Sequence, residues 1–195
     1  MHRHVLHSLL LTALAGTLLF GSCGLVGDGD SKAKDTYFRA ALNGKKWSGN
    51  PDAVFSEQGR FNKWLALFAD SLYESGYRER LSIHTPFRGV REYNLSEKNY
   101  TVGGNLLTGG GFFSENDYDV TISSYSATDD SSVNRLTITK YDSTTGVLEG
   151  TFRTTVVVDS AERVSEPGEP PRRRPDTLRF TDGEFRVKTR DLRDQ

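Results

Sequence analysis

The chain has 195 residues, with 25 Lys and Arg against 26 Asp and Glu and a formal net charge of −1. That balance lacks the basic footprint of a nucleic-acid binder, so no nucleic-acid partner is expected. The single Cys excludes an internal disulfide framework and a zinc site built from cysteines.

The N-terminus carries Arg3 and then a run of 12 residues without a charge, residues 9–20. A membrane-spanning helix needs about 20 apolar residues and the core of a signal peptide about 7–15, so residues 1–22 read as a secretory signal. The sequence Leu19-Phe20-Gly21-Ser22-Cys23 resembles the bacterial lipobox, although Phe20 stands where Leu is typical. The resemblance implies cleavage between Ser22 and Cys23, diacylation of the Cys23 sulfur and acylation of the new N-terminus. The alternative is ordinary signal cleavage that leaves a free thiol. Each buried lipid CH₂ contributes about 0.8 kcal/mol, so two or three acyl chains anchor a protein stably. The expected location is therefore the cell envelope, at the outer membrane, with the bilayer as the first partner. Removal of the signal leaves His84 as the one imidazole, because His2, His4 and His7 go with it.

Residues 23–35 are Gly, Asp, Ser and Lys with few apolar side chains, too little to offset chain entropy, and read as a flexible tether. Asp28 and Asp30 resemble surface-export signals of some lipoproteins, or are simply solvated linker. Residues 36–190 read as one β-domain and 191–195 as a tail. Asn43-Gly44 marks a turn after the first strand. Residues 61–72 carry Trp64, Leu65, Phe68 and Leu72 at helical spacing. Trp64, Ala66 and Phe68 also fit one face of a strand, with Leu65 and Leu67 on the other, and a strand buried on both faces is expected. Gly103-Gly104 and residues 109–111, all Gly, signal mobile loops or bulges. In 118–124 the expected core face is Tyr118, Val120 and Ile122, with Thr121 and Ser123 on the wet face. In 134–141, Leu136 and Ile138 alternate with Arg135, Thr137 and Thr139. In 147–158, Leu148, Gly150, Phe152, Val156 and Val158 share one face. Residues 162–175, with four prolines and Arg172, Arg173 and Arg174, read as an inserted loop. Asp182-Gly183 lies between Leu178/Phe180 and Phe185/Val187 and reads as a hairpin turn. The expectation is an all-β domain of about eight to ten strands, a single antiparallel β-sandwich or a lipocalin-like barrel.

Four segments in order, Phe38-Arg39-Ala40-Ala41-Leu42-Asn43-Gly44 with Trp47, Leu136-Thr137-Ile138-Thr139-Lys140-Tyr141-Asp142, Leu148-Glu149-Gly150-Thr151-Phe152 and Thr181-Asp182-Gly183-Glu184-Phe185-Arg186-Val187, resemble a family of small bacterial lipoproteins. Its members carry an all-β domain of unknown function behind a lipobox. The resemblance spans most of the mature chain and implies a fold. It brings no activity, catalytic residue or cofactor.

Tests for chemistry narrow the field. A Ser-His-Asp or Cys-His site would have to use His84, which alternates with Arg78, Arg80 and Ser82 on the polar face of a strand. No G-x-S-x-G elbow or phosphate-cradling loop occurs, and Asp117, Asp119, Asp129 and Asp130 lack the spacing of a calcium loop. No catalytic residue, metal or cofactor is expected. Any two acids could converge as the carboxylate pair of a glycoside hydrolase. Arg172, Arg173 and Arg174 read as a solvated loop neutralised by Glu162, Glu166, Glu169 and Asp176. The dipeptides ending in Ser71, Ser143, Ser160 and Thr177, each after Asp, resemble an O-glycosylation motif of exported proteins. Asp-Ser and Asp-Thr also suit turns. The leading expectation is a non-enzymatic lipoprotein that binds a glycan or envelope protein or has a structural role. A glycan hydrolase and a lipocalin-type carrier of an apolar ligand are the alternatives.

Overall fold

The computed structural model describes residues 36–57, 63–96, 99–102, 105–159 and 172–191. The signal, the lipobox, the tether, Ser160 and most of the Pro-rich insertion lie outside them. The described chain is all β, in the order β1 (Tyr37–Leu42), β2 (Lys45–Glu57), β3 (Lys63–Leu72), β4 (Tyr77–Pro86), β5 (Glu92–Asn94), β6 (Asn99–Val102), β7 (Asn105–Thr108), β8 (Gly110–Asp117), β9 (Val120–Ala127), β10 (Arg135–Asp142), β11 (Val147–Val158) and β12 (Thr177–Asp191).

Ten strands form one sheet, and β6 pairs with β7 apart from it. The main sheet closes into a ring. β12 lies antiparallel along β11 and along β1. Past the end of β1, Thr189, Arg190 and Asp191 pair in parallel with Ala53, Val54 and Phe55 of β2. The ring continues antiparallel through β3, β4, β8 and β9. It returns where Tyr125, Ser126 and Ala127 of β9 meet Val158, Val157 and Val156 of β11. β10 and β5 extend from the first half of β11. The expectation of an all-β, almost wholly antiparallel domain therefore holds. The three-residue contact of β12 with β2 is the parallel exception.

Alternation fills the interior. Phe38, Leu65, Leu67, Leu81, Ile83, Phe113, Leu136, Ile138, Phe180 and Phe185 are all at most 2% exposed. Each such side chain contributes about 1.5–3 kcal/mol of transfer free energy. Rings lock the centre: Phe113 meets Tyr125 edge-on at 5.5 Å and Phe180 at 5.7 Å, and Trp47 meets Phe180 edge-on at 5.4 Å. Two glycines on facing strands make room for two rings. Gly150 is the register partner of Phe185, and Phe152 of Gly183. A Cβ on Gly150 would lie 2.6 Å from the Phe185 ring, and one on Gly183 2.6 Å from the Phe152 ring. Aromatic side chains thus pack against one another in the core.

Residues 63–72 are strand. Leu65, Leu67 and Ala69 face the core, while Trp64 is buried and Ala66 and Phe68 half-buried on the outer side. Asn43 and Gly44 make the expected turn, both at positive φ (49° and 78°). Three expectations change. Asp182-Gly183 is a bulge inside a continuous β12 and not a hairpin: β11 advances two residues from Phe152 to Thr154 while β12 moves three, from Gly183 to Phe180. Asp182 absorbs the extra residue at φ 51°, a left-handed conformation that Asp tolerates. The faces of β9 are reversed. Tyr118 and Val120 are 72% and 54% exposed, whereas Ser123 and Tyr125 are fully buried, because the register shifts at Glu115/Asn116 and Tyr118 sits in the preceding turn at φ 50°. Gly110 and Gly111 begin β8 and do not form a loop.

Candidate functional site

β4 alternates buried and half-buried from its first residue, so Tyr77 and Glu79 point the same way as Leu81 and Ile83. Their neighbours across the strand pair are set by register: Leu81 opposes Phe113, and Glu79 opposes Glu115. Two carboxylates thus enter the interior side by side near one end of the ring, with Glu79 1% and Glu115 0% exposed. Carboxylates so deeply buried call for donors and countercharge.

The donors converge from five directions. Glu79 Oε2 accepts from Trp47 Nε1 of β2 at 2.9 Å and from the Tyr73 hydroxyl at 2.9 Å. Glu79 Oε1 accepts from Arg174 Nε at 2.6 Å. Glu115 Oε2 accepts from Ser123 Oγ at 2.6 Å and the Tyr125 hydroxyl at 2.9 Å, both on β9. Glu115 Oε1 accepts from the Arg173 backbone N–H at 3.0 Å. The Tyr77 hydroxyl lies 2.6 Å from Glu115 Oε1 and 3.1 Å from Glu79 Oε1. It owns one proton, which the shorter contact takes.

Residues 172–174, which sequence reasoning left as a solvated loop, close this end of the ring. Arg174 pairs with Glu79, the Arg173 guanidinium stands 4.0 Å from the centre of the Tyr77 ring, and Arg172 pairs with Asp176. Arg174 supplies the countercharge to Glu79, whereas Glu115 is met by hydroxyls and the Arg173 backbone N–H. Burial pushes the Glu79 carboxyl up, but the hydrogen bonds from Arg174 and Trp47, the Arg174 charge and the Tyr73 hydroxyl bring it below its ordinary value. Burial, then the bond to Glu115 and the Glu79 charge, raise the Tyr77 phenol far above its ordinary range.

Chemically, all four carboxylate oxygens are engaged. A general acid or nucleophile needs an oxygen turned toward substrate. The two Oε1 atoms are 3.1 Å and 2.6 Å from one hydroxyl, hence no more than 5.7 Å apart. That is compatible with the spacing in retaining glycosidases, about 5–5.5 Å. A depression of about 220 Å³ is lined by Lys45, Trp47, Ser48, Ser71, Tyr73 and Arg174 among others.

Of the residues singled out by sequence, Ser71 lies in β3 opposite Glu79 and is half-buried at that depression. Ser143 is exposed in the turn after β10, where Asp142 Oδ1 accepts from the Thr144 N–H at 2.9 Å. Thr177 opens β12, half-buried. The structure does not bring these three into one site, and Ser22, Cys23 and Ser160 lie outside the described residues. His84 is on the outer side of β4 as expected. It is wedged between Phe68 and Phe112, each ring 5.6 Å away, and its Nε2 is buried without a hydrogen-bond partner. Burial lowers its pKa. Sequence reasoning missed Glu79 and Glu115. The available signal was Glu79 on the same alternate positions as Tyr77, Leu81 and Ile83: an acid in a core stripe. Compared with known proteins, the chain matches no family model, no curated protein and no solved structure.

Proposed function

We propose that the protein is a lipid-anchored envelope module, held to the membrane through Cys23, that binds a partner or plays a structural role and performs no turnover. The observation that carries this is the saturation of the Glu79/Glu115 pair. The most reaction-like constellation among the described residues has every oxygen engaged and an arginine segment across its mouth. The packed aromatic interior supports the same reading against a carrier of apolar cargo. Two measurements test it. Cys23→Ala should shift the processed protein from the membrane to the soluble fraction, and a variant that stayed membrane-bound would end the anchor model. Pull-down with the native envelope fraction should recover a partner or glycan at stoichiometric yield.

The second reading is a retaining glycan hydrolase, favoured only by the spacing of the two Oε1 atoms. It requires residues 172–174 to withdraw and one carboxyl to hold a proton. Turnover of envelope glycan that disappears in Glu115→Gln would establish it and overturn the first reading.

A further inference from the structure

We infer that Arg173 and Arg174 are intramolecular occupants of a guanidinium site, and that this end of the ring takes the arginine side chain of a basic partner segment in their place. The inference rests on the binding-module reading and names its ligand class.

The walls have the required chemistry. Glu79 and Glu115 supply acceptors, and the face of Tyr77 already holds a guanidinium at 4.0 Å, the geometry of a cation–π contact. A planar cation that donates at its edge and stacks on its face uses both features, which a lysine ammonium does not.

The present occupant comes from outside the sheet. Residues 172–174 belong to no strand, and Arg173 is exposed. Arg174 meets Glu79 through Nε alone. On the outer face, by contrast, Arg80 grips Asp70 with both Nε and Nη2, at 2.7 Å and 2.8 Å. A guanidinium arriving from solvent can present its fork, and bidentate pairs are the stronger kind. A route exists as well. The 220 Å³ depression lined by Trp47, Ser71 and Tyr73 has Arg174 in its wall, and the Arg174 side chain is 29% exposed. Withdrawal of the segment takes the Arg174 countercharge away from Glu79, and a cationic replacement restores it.

Competition sets the arithmetic. A tethered arginine acts at an effective concentration on the order of millimolar, and the apparent affinity for an external ligand falls by the fraction of time the site is open. Removing the tethered side chain should therefore tighten binding by about 10-fold or more.

The probe is N-acetylarginine amide titrated into the folded domain. Binding is followed at two N–H groups that touch the carboxylates: the Trp47 indole and the Arg173 backbone amide. In the wild-type domain the Trp47 resonance should shift saturably and the Arg173 amide should exchange faster as the segment leaves. Arg174→Ala should bind at least about 10-fold tighter, and Arg174→Ala with Glu79→Gln should lose that gain. A Trp47 resonance that stays fixed in the wild type overturns the inference, as does an Arg174→Ala domain that binds no tighter. Should Arg174→Ala fail to fold, Arg173→Ala vacates the Tyr77 face instead and must tighten binding in the same direction. A partner recovered by pull-down with a domain whose Trp47 ignores arginine removes this inference and leaves the binding-module reading intact.

Discussion

Glu79→Ala tests whether the buried pair is structural. The substitution deletes the acceptor for three donors that differ in their alternatives. Tyr73 is 41% exposed and the Arg174 side chain 29%, so both can turn toward water. Trp47 is 5% exposed and has nowhere to go. An orphaned buried donor costs about 1–3 kcal/mol, and breaking a buried ion pair from one side costs about 3–5 kcal/mol. Because Arg174 retains access to solvent, the expected loss lies near the lower end of the second range, about 3–4 kcal/mol. For a chain of this size each kcal/mol lowers Tm by about 2–4 °C, so a fall of about 6–16 °C is expected. Urea unfolding followed by tryptophan fluorescence is the direct assay, with Glu79→Gln as the milder control because its amide still accepts. The acid limb carries a second signature. The Glu79 carboxyl sits below its ordinary value of 4.5 in the folded state. Its contribution is therefore complete above about pH 4.5 and disappears as pH falls through the lower, folded value. Glu79→Ala should lose that part of the acid slope. A variant within about 1 kcal/mol of wild type, with the acid slope unchanged, would refute the structural role.

Three further outcomes follow from the same structure. His84, pushed below its ordinary 6.5 by burial, stabilises fully above that pH and less as pH falls through its folded value. His84→Phe should flatten the stability profile between pH 7 and 5, where one group contributes at most about 1.4 kcal/mol per pH unit; an unchanged profile by urea titration counts against the burial argument. Gly150→Ala places a Cβ 2.2 Å from the Thr137 carbonyl oxygen. Backbone must shift, and thermal unfolding should show a loss of about 3 kcal/mol; a neutral result would mean that β10 and β11 are not paired as described. Arg80→Ala breaks a bidentate pair whose arginine is 41% exposed and should change stability by no more than about 1 kcal/mol.

Much of the fold is legible because period two is a physical constraint that leaves a trace. The alternation in Leu136/Ile138 and in Leu148/Phe152/Val156 names core faces correctly. Asn43-Gly44 names its turn, since few other pairs accept two positive φ angles. Asp182-Gly183 misleads for an equally physical reason. A two-residue hairpin and a one-residue bulge both switch the hydrophobic phase from Leu178/Phe180 to Phe185/Val187, and only the partner strand tells them apart. The reversal at β9 has the same root: Tyr118 and Val120 suit a core, but Ser123 is needed inside as a donor to Glu115. The candidate site was least legible of all. Its parts come from β2, Tyr73, β4, β8, β9 and residues 173–174. No local pattern links an acid in one core stripe to its opposite number 36 residues later, a pairing fixed only when β4 meets β8.

The closure of the ring bears on how the chain folds in time. β1 lies between β2 and β12, and its contact with β12 joins Arg39 to Glu184 across 145 residues. The strand made first is thus completed by the strand made last, and until β12 arrives β1 and β2 have open edges. Such long-range pairing places the domain among slow folders, on the order of milliseconds to seconds. Before closure the open edges invite pairing with other chains.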